Sequence, residues 1–395
     1  MTSADAVTIL PPLSPEEADQ SERVLRAVHA AIEAHDGWLA FDDYLRLVLY
    51  APGLGYYSAG SIKFGRGGDF VTAPEISTLF GRCVARQCAQ ILQPFGGDIL
   101  ELGAGSGALA FDLLSTLDQL GALPQQYYIL EISAELRARQ RQRLDTLPAA
   151  LRARVGWLDA LPATPMAGVI LANEVADALP FKRFVIGAEG AREGGIAWGR
   201  GGLIEQDRPA AADLTLAVEQ IGRSLADPWS WPAGYQSELC PMMRPWITAI
   251  AAALSRGALL LFDYGLARHE YYHPQRTDGT LRCHFRHRAH DDALRYPGMQ
   301  DISAWVDFTA VAEAASDAGL RVDGYCTQAA FLLASGIEAD LAAAANALDR
   351  ARFASQARQL LLPGEMGEIF KAMALTRGVE LDLAGFAHQD LRRSL

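Results

Sequence analysis

The segment from Asp98 to Gly107 reads Asp-Ile-Leu-Glu-Leu-Gly-Ala-Gly-Ser-Gly and constrains the fold more than any other part of the sequence. A short apolar run ends in glycines at alternate positions, and helix-compatible residues follow from Ala108. Glycine lets the backbone adopt unusual dihedral angles and approach a ligand closely. A strand, a glycine turn and a helix N-terminus in this order predict a nucleotide-type cradle.

The glycine spacing is compatible with two cofactors. Gly103, Gly105 and Ala108 form a tolerated variant of the dinucleotide fingerprint Gly-x-Gly-x-x-Gly, which predicts NAD. The same segment, with Glu101 before Gly103, Gly105 and Gly107, resembles motif I of class I S-adenosyl-L-methionine (SAM) methyltransferases. Glu101 favours SAM, because a carboxylate at this position attracts the sulfonium and amino groups of SAM but repels a pyrophosphate.

Three further apolar runs end in acidic residues, as the first run does. Residues 127–130 precede Glu131, residues 155–158 precede Asp159, and residues 168–172 precede Asn173 and Glu174. Strand-then-acid units separated by helical stretches predict an alternating α/β fold with a parallel sheet and helices on both faces. Ligands bind at the carboxyl ends of such strands. We therefore expect Glu131 to bind the ribose hydroxyls and Asp159 to contact the adenine amino group.

Composition excludes several functional classes. The net charge of −12 and a sequence pI near 5.2 argue against nucleic acid as the main partner, since phosphate binding needs a concentrated basic surface. No apolar run reaches the length of about 18 residues that a membrane-spanning helix needs. The five cysteines form no Cys-x-x-Cys pair, and residues 1–20 resemble neither a secretory signal nor a transit peptide. These features predict a cytoplasmic protein.

The chain is long enough for a large domain with insertions. We expect four regions: a disordered N-terminus (1–15), a helical extension with a Gly-rich loop (16–95), a SAM-binding methyltransferase core (96–335) and a C-terminal helical tail (336–395). The core is expected to carry inserted substrate-binding elements at about 182–257 and 266–302, because these segments are longer than one crossover requires.

His284, His287 and His290 suggest a metal site, because residues three apart share a face if the segment is helical. A zinc site usually also draws on cysteines or acids in a recognised pattern. Cys283, Asp291 and Asp292 are near in sequence but match no such pattern. A substrate-facing loop is the favoured interpretation, and no metal is predicted.

Several blocks of sequence, in this order, resemble the MidA-like methyltransferases. They are Gly55-Tyr56-Tyr57, the block Gly-Asp-Phe-x-Thr-x-Pro-Glu-Ile-Ser at 68–77, the glycine motif, the block Asn-Glu-x-x-Asp-Ala-Leu-Pro at 173–180, Asp263-Tyr264-Gly265 and Val306-Asp307-Phe308. The resemblance extends from about Gly37 to about Leu333 and implies a SAM-dependent methyltransferase. The mitochondrial member of this family assists assembly of respiratory complex I by methylating an arginine of one subunit. A protein substrate with a reactive arginine, for example a complex I subunit, is therefore implied.

An arginine methyltransferase needs carboxylates that orient the guanidinium and hold its charge away from the reacting nitrogen. Glu174 and Asp177 follow the fourth strand and would share a face if a helical turn begins there. The predicted catalytic residues are Glu174, Asp177 and Asn173. The predicted cofactor-binding residues are Glu101, Gly103, Ala104, Gly105, Gly107, Glu131, Asp159, Thr72 and Pro74.

Two other functions stay open at this point. One is an NAD-dependent oxidoreductase, which Glu101 and the lack of a recognisable hydride-transfer constellation disfavour. The other is a non-catalytic assembly chaperone that retains a SAM pocket, which the intact acidic and glycine positions disfavour. The sequence leaves the oligomeric state open, with a homodimer as one alternative.

Overall fold

The structure of the protein is a computed structural model that describes residues 10–58, 72–225 and 231–395. The chain divides into two compact units, each built from separate segments. The first unit comprises 1–71, 178–241 and 272–304, and the second comprises 72–177, 242–271 and 305–395. The Gly-Asp-Phe part of the predicted block at 68–77, and residues 1–9 of the predicted disordered N-terminus, lie outside the described residues.

Local capping signals fix several helix starts. Ser14 and Glu17 form a capping box before the first helix, and Ser77 caps the helix that precedes the glycine motif. The α-helices are α1 (Pro15–Ala34), α2 (Phe41–Leu45), α3 (Ala73–Ile76), α4 (Thr78–Leu92), α5 (Ala108–Gln119), α6 (Ala134–Leu144), α7 (Ala149–Arg152), α8 (Ala212–Ser224), α9 (Met243–Ala253), α10 (Arg268–Tyr271), α11 (Phe308–Asp317), α12 (Gln328–Ala334), α13 (Ile337–Ala342), α14 (Ala347–Leu361) and α15 (Met366–Ile369).

The strands follow the apolar runs of the sequence. They are β1 (Trp38–Ala40), β2 (Asp98–Leu102), β3 (Tyr127–Leu130), β4 (Val155–Leu158), β5 (Met166–Asn173), β6 (Lys182–Gly187), β7 (Gly190–Gly199), β8 (Gly202–Pro209), β9 (Gln236–Leu239), β10 (Leu254–Leu266), β11 (Arg282–Phe285), β12 (Arg288–His290), β13 (Asp301–Ser303), β14 (Val306–Asp307), β15 (Arg321–Thr327) and β16 (Phe370–Arg377).

The second unit is built on one sheet with the order β15-β16-β10-β5-β2-β3-β4, and β14 pairs with β10. The five neighbouring strands β4, β3, β2, β5 and β10 are parallel, whereas β16 is antiparallel to both of its neighbours, β10 and β15. The strand order reverses at β2, which pairs with β3 on one side and β5 on the other. Ligands of open α/β sheets bind at such a reversal.

Apolar packing holds helices against this sheet. The rings of Phe80 on α4, Phe262 on β10 and Phe331 on α12 form a continuous edge-to-face series, with centroid separations of 5.3 and 5.0 Å. All three side chains are almost completely buried. The predicted mixed α/β class, with a largely parallel central sheet, is confirmed.

The first unit contains two smaller antiparallel sheets. One has the order β1-β7-β6-β9, with β8 also paired to β7, and the other has the order β12-β11-β13. Within the insertion expected at about 182–257, β6, β7 and β8 pair as two successive antiparallel hairpins. Leu10, which follows the undescribed N-terminal residues, packs in a small cluster with Phe285 and Met299.

Two segments differ from the sequence-based expectation. The tail predicted to be helical contains β16, which pairs with β10 and β15 along its length. Its Ala, Met and Leu residues favour helix locally, and pairing inside the central sheet overrides that preference. His284 and His290 lie on the paired strands β11 and β12, so the three histidines do not share a helix face.

Close packing around Gly168 generates a stability prediction. Gly168 lies in β5 with φ 147°, and an added Cβ would collide with the Asp98 carbonyl oxygen of β2. Gly168→Ala is therefore expected to lower the free energy of unfolding by about 3 kcal/mol. Gly364→Ala is the control, because no atom lies within 4 Å of the added Cβ, and its effect should stay within about 0.5 kcal/mol. Equal effects in chemical denaturation would contradict the prediction.

Candidate functional site

The carboxyl ends of three parallel strands lie side by side in the second unit. Leu102 of β2 pairs with Leu130 of β3 on one side and with Ala172 of β5 on the other. The chain therefore leaves the sheet at Gly103, Glu131 and Asn173 along one edge. This edge brings together the glycine loop and the acidic residues that the sequence analysis selected.

The glycine loop turns sharply between β2 and α5. Gly103, Gly105 and Gly107 have φ angles of 63°, 51° and 81°, which are left-handed conformations that favour glycine. Ala104 between them is buried, and Gly107 is the N-cap residue of α5. The loop thus presents backbone without a Cβ at alternate positions, next to the positive end of a helix dipole.

Glu131 lies directly after β3 with its carboxylate held by protein donors. Its Oε1 accepts a hydrogen bond from Ser133 N at 2.9 Å, and its Oε2 accepts one from Gln140 Nε2 at 3.1 Å. Burial raises the pKa of Glu131, while these donors act in the opposite direction. The side chain is therefore oriented, as a ribose-binding carboxylate has to be.

Asp159 follows β4 and is largely exposed, with 91% of its side-chain surface accessible. Arg137 Nη2 donates to Asp159 Oδ1 at 2.7 Å and to the Leu158 carbonyl at 2.8 Å, and its Nε donates to the Glu131 carbonyl at 2.6 Å. One guanidinium therefore joins the ends of β3 and β4. Asp159 remains accessible to a ligand at this edge.

Glu101 lies within β2 rather than on the exposed edge, with only 3% of its surface accessible. The Tyr127 hydroxyl of β3 donates to Glu101 Oε2 at 2.7 Å. Burial raises the pKa of Glu101 to about 7, and the nearby charge of Glu131 acts in the same direction. The acid before the glycine loop is thus a buried group whose charge depends on pH near neutrality.

Asp263 holds the turn that follows β5. It is completely buried at the end of β10, and its Oδ2 accepts hydrogen bonds from Val175 N, Ala176 N and Asp177 N at 3.3, 3.0 and 3.3 Å. Burial raises its pKa well above the usual range, and the charges of Asp177 and Glu174 raise it further.

The condition for Glu174 and Asp177 to share a face, a helical turn at 174–177, is not met, because the backbone wraps the Asp263 side chain instead. The two acids have different partners. Glu174 Oε1 accepts from Ala73 N at 3.3 Å and from Asn173 Nδ2 at 3.2 Å, whereas Asp177 Oδ2 accepts from the Tyr264 hydroxyl.

Glu174 has a left-handed backbone with φ 54°, which is strained for a residue with a side chain. Its contact with Ala73 N places it beside α3, where Thr72 is the N-cap residue and Pro74 lies in the first turn. Strained residues of this kind concentrate at functional sites. The predicted positions Thr72, Pro74, Asn173 and Glu174 are therefore neighbours in the structure.

Glu75 binds the glycine loop from the α3 side. Its Oε1 accepts from the Ser106 hydroxyl and from Arg143 Nη1, the latter at 3.3 Å. Arg143 also donates to Ser106 Oγ at 2.7 Å. Glu75 and Arg143 further line a cavity of about 410 Å³ together with Asp112 and Arg352. Glu75 on α3 and Arg143 on α6 therefore hold the glycine loop at Ser106.

Sequence analysis did not find two residues at this edge. Ile132, directly after Glu131, is 65% exposed and offers an apolar surface beside the carboxylate. Gln140 is completely buried and donates to the Gly105 carbonyl as well as to Glu131. A signal for Gln140 exists, because it interrupts the apolar stripe of Leu136 and Leu144 on α6.

The described residues contain neither a metal-binding cluster of side chains nor a helix suited to a membrane. Across 10–58, 72–225 and 231–395, no group of three or more His, Cys, Asp or Glu side chains is arranged to hold a metal ion. In the same residues, no helix combines the length and the apolar character needed to cross a membrane.

Comparison with known proteins gives concordant matches. Residues 83–326 match the family model described as "Putative S-adenosyl-L-methionine-dependent methyltransferase". The structure is similar to a crystal structure from Burkholderia thailandensis bound to S-adenosyl-homocysteine, with 42% identity and a TM-score of 0.92 over 98% of this chain and 100% of that one.

Curated relatives carry the name "Protein arginine methyltransferase NDUFAF7, mitochondrial". The Danio rerio protein is 27% identical over 87% of this chain and 85% of its own length. The Homo sapiens protein is 27% identical over 86% of this chain and 80% of its own length. The prediction of a cytoplasmic protein is wrong, because these relatives are named as mitochondrial. That prediction used the net charge, the cysteine content and the composition of residues 1–20, and the names of the relatives overturn it.

The buried Glu101 generates a pH prediction. Its pKa is raised from 4.5 to about 7 in the folded protein, so its contribution to stability is present below pH 4.5 and is lost as the pH rises through about 7. Glu101→Gln should remove this loss, which corresponds to about 3 kcal/mol. We expect the variant to gain stability relative to the wild type between pH 5 and pH 8 in denaturant titrations without ligand. A constant difference across that range would contradict the assignment.

Proposed function

Because the chain belongs to the MidA-like family of SAM-dependent methyltransferases, we propose that it methylates an arginine side chain of a protein substrate. The cofactor is SAM, and the predicted methyltransferase activity agrees with the family. Arginine as the acceptor is supported by the relatives named as protein arginine methyltransferases. It is also supported by the acidic turn after β5.

The strand edge fits SAM through features of this chain alone. The glycine loop offers backbone without side chains at Gly103, Gly105 and Gly107, and Glu131 offers an oriented carboxylate for the ribose hydroxyls. The exposed Ile132 fits the apolar face of the adenine ring, and the accessible Asp159 fits its amino group. SAM supplies a methyl group bound to a positively charged sulfur.

The observation that carries the proposed acceptor is the strained backbone of Glu174, which with Asp177 belongs to the acidic turn that Asp263 holds after β5. A guanidinium is cationic at physiological pH and therefore a poor nucleophile. Carboxylates that bind its outer nitrogens hold the charge away from the reacting nitrogen and fix its plane. We assign this role to Glu174 and Asp177, with Asn173 orienting Glu174 through its side-chain amide. Methylation releases one proton from the reacting nitrogen, and these carboxylates can accept it.

The substrate protein is a finer question. We propose a subunit of respiratory complex I as the first substrate to test, on the basis of the sequence resemblance described above. This choice is independent of the cofactor site, so a different substrate would leave the methyltransferase assignment intact.

The proposed function predicts a difference in cellular methylation. Mass spectrometry of tryptic peptides should find at least one methylarginine in cells with the protein that is absent from cells without it. Cells that carry Gly105→Val should resemble the cells without the protein, because the added branches occupy the space over the loop. If the protein binds S-adenosyl-homocysteine but no methylarginine depends on it, a non-catalytic chaperone with a SAM pocket is the better assignment.

Glu174→Gln tests the acceptor role separately from cofactor binding. The amide keeps the shape and the acceptor for Ala73 N but removes the charge that matches a guanidinium. Affinity for S-adenosyl-homocysteine should stay within about twofold, while turnover of labelled SAM falls by about 10²-fold or more. Glu365→Gln, at an exposed position, is the charge-matched control and should not change either value. Loss of cofactor affinity would move Glu174 to the cofactor pocket.

A further inference from the structure

Gln140 connects the three chain segments that leave the sheet at its ligand-binding edge. Its Nε2 donates to the Gly105 carbonyl at 3.0 Å and to Glu131 Oε2 at 3.1 Å. Its Oε1 accepts from Trp157 Nε1 of β4 at 2.9 Å. A single buried amide therefore contacts the glycine loop, the acid after β3 and the strand before Asp159.

Gln140 packs tightly against the backbone of Gly107. An added Cβ on Gly107 would lie 3.3 Å from the Gln140 Cα and 3.4 Å from its Cγ, so the third glycine of the loop permits this close approach. Any orientation of this buried amide with fewer hydrogen bonds would cost about 1 to 3 kcal/mol of stability for each donor or acceptor left unsatisfied. The bonding pattern thus allows one orientation of the side chain.

The orientation of Gln140 determines the orientation of its partners. The amide nitrogen fixes one oxygen of Glu131, and Ser133 N fixes the other, so the plane of the carboxylate is set before any ligand arrives. The Gly105 carbonyl is drawn toward α6, and because a peptide is planar and trans, the N–H of Ser106 points the opposite way. The Glu131 carboxylate is thus oriented for a ribose, and the Ser106 N–H is oriented for a nearby polar atom of the ligand.

We propose that Gln140 is a positioning residue of the cofactor site, which fixes the Glu131 carboxylate and the Gly105 peptide for SAM. This inference rests on the proposed function, since it concerns the same site. Gln140 does not itself contact the cofactor in this assignment. Its effect passes through Glu131 and the glycine loop.

Gln140→Glu separates positioning from simple packing. The introduced carboxyl has the same shape, but its ionised form cannot donate to Glu131 and repels it. Protonation restores a donor, while the other oxygen still accepts from Trp157. The dissociation constant of S-adenosyl-homocysteine, measured by calorimetry, should be raised by about tenfold or more at about pH 8 and by less than about threefold near pH 5.5.

The comparison with the wild type removes the titration of the surrounding groups. Several charged side chains surround this part of the site. They lie on β2, α3, α5 and α6 or directly after β3 and β4, and are Glu101, Glu75, Asp112, Arg137, Arg141, Arg143, Glu131 and Asp159. They are the same in both proteins, so the ratio of the two dissociation constants reports the introduced carboxyl. A ratio that does not change with pH would overturn the inference.

Gln140→Met removes all three hydrogen bonds and keeps the volume. Gln87→Met is the matched control, because Gln87 is also buried and accepts from Gly385 N at 2.8 Å, with its partners on α4 and the C-terminal segment. Both variants should lose stability in thermal unfolding. Only Gln140→Met should weaken binding of S-adenosyl-homocysteine by about tenfold or more.

The outcomes distinguish this inference from the function on which it rests. If the wild type does not bind S-adenosyl-homocysteine, the proposed cofactor site and the inference both fail. If the wild type binds it and Gln140→Met binds equally well, or Gln87→Met loses affinity to the same extent, only the positioning role of Gln140 fails. If Gln140→Met does not fold, the pH profile of Gln140→Glu decides.

Discussion

The buried carboxylate of Asp263 determines how the chain turns at the centre of the candidate site. Three consecutive backbone N–H groups, from Val175 to Asp177, donate to one of its oxygens. Each such hydrogen bond contributes about 0.5 to 1.5 kcal/mol net. Together they offset the roughly 1 to 3 kcal/mol that a left-handed backbone costs at Glu174. The strained acid is therefore stable because a neighbouring strand supplies an acceptor for the turn that follows it.

At the rest of the edge where β2, β3 and β4 end, polar side chains from one element likewise form hydrogen bonds with the ends of neighbouring elements. Arg137 joins the ends of β3 and β4 through backbone carbonyls, and Glu75 with Arg143 braces the glycine loop at Ser106. Strand ends and loops carry backbone groups that the sheet leaves without partners. Hydrogen bonds from partly buried side chains such as Arg137 satisfy these groups and give a site built from loops the rigidity of the elements around it.

The parts of the fold that the sequence predicted are those with local signals. The glycine motif and the strand-then-acid units identified β2 to β5 and the edge where Glu131 and Glu174 lie, because strand alternation and turn chemistry act over a few residues. The conformation of the turn after β5 could not be predicted, because Asp263, which determines it, lies on β10, far away in the sequence. Strand β16 was missed for a related reason. Its alanines favour helix locally, and only pairing with β10 and β15 makes the segment a strand.

The buried acids of the site and the cationic ligands of the proposed reaction are linked through their charges. Glu101 and Asp263 are buried near other carboxylates, and the pKa of each is raised by burial and by those neighbours. Both ligands of the proposed reaction are cations, since SAM carries a sulfonium and the acceptor is a guanidinium. A cation near these acids favours their ionised forms and lowers their pKa values, so binding and proton release are linked. In the proposed function, methyl transfer would leave the sulfur uncharged. Acids near a bound SAM would then interact less strongly with the product than with SAM.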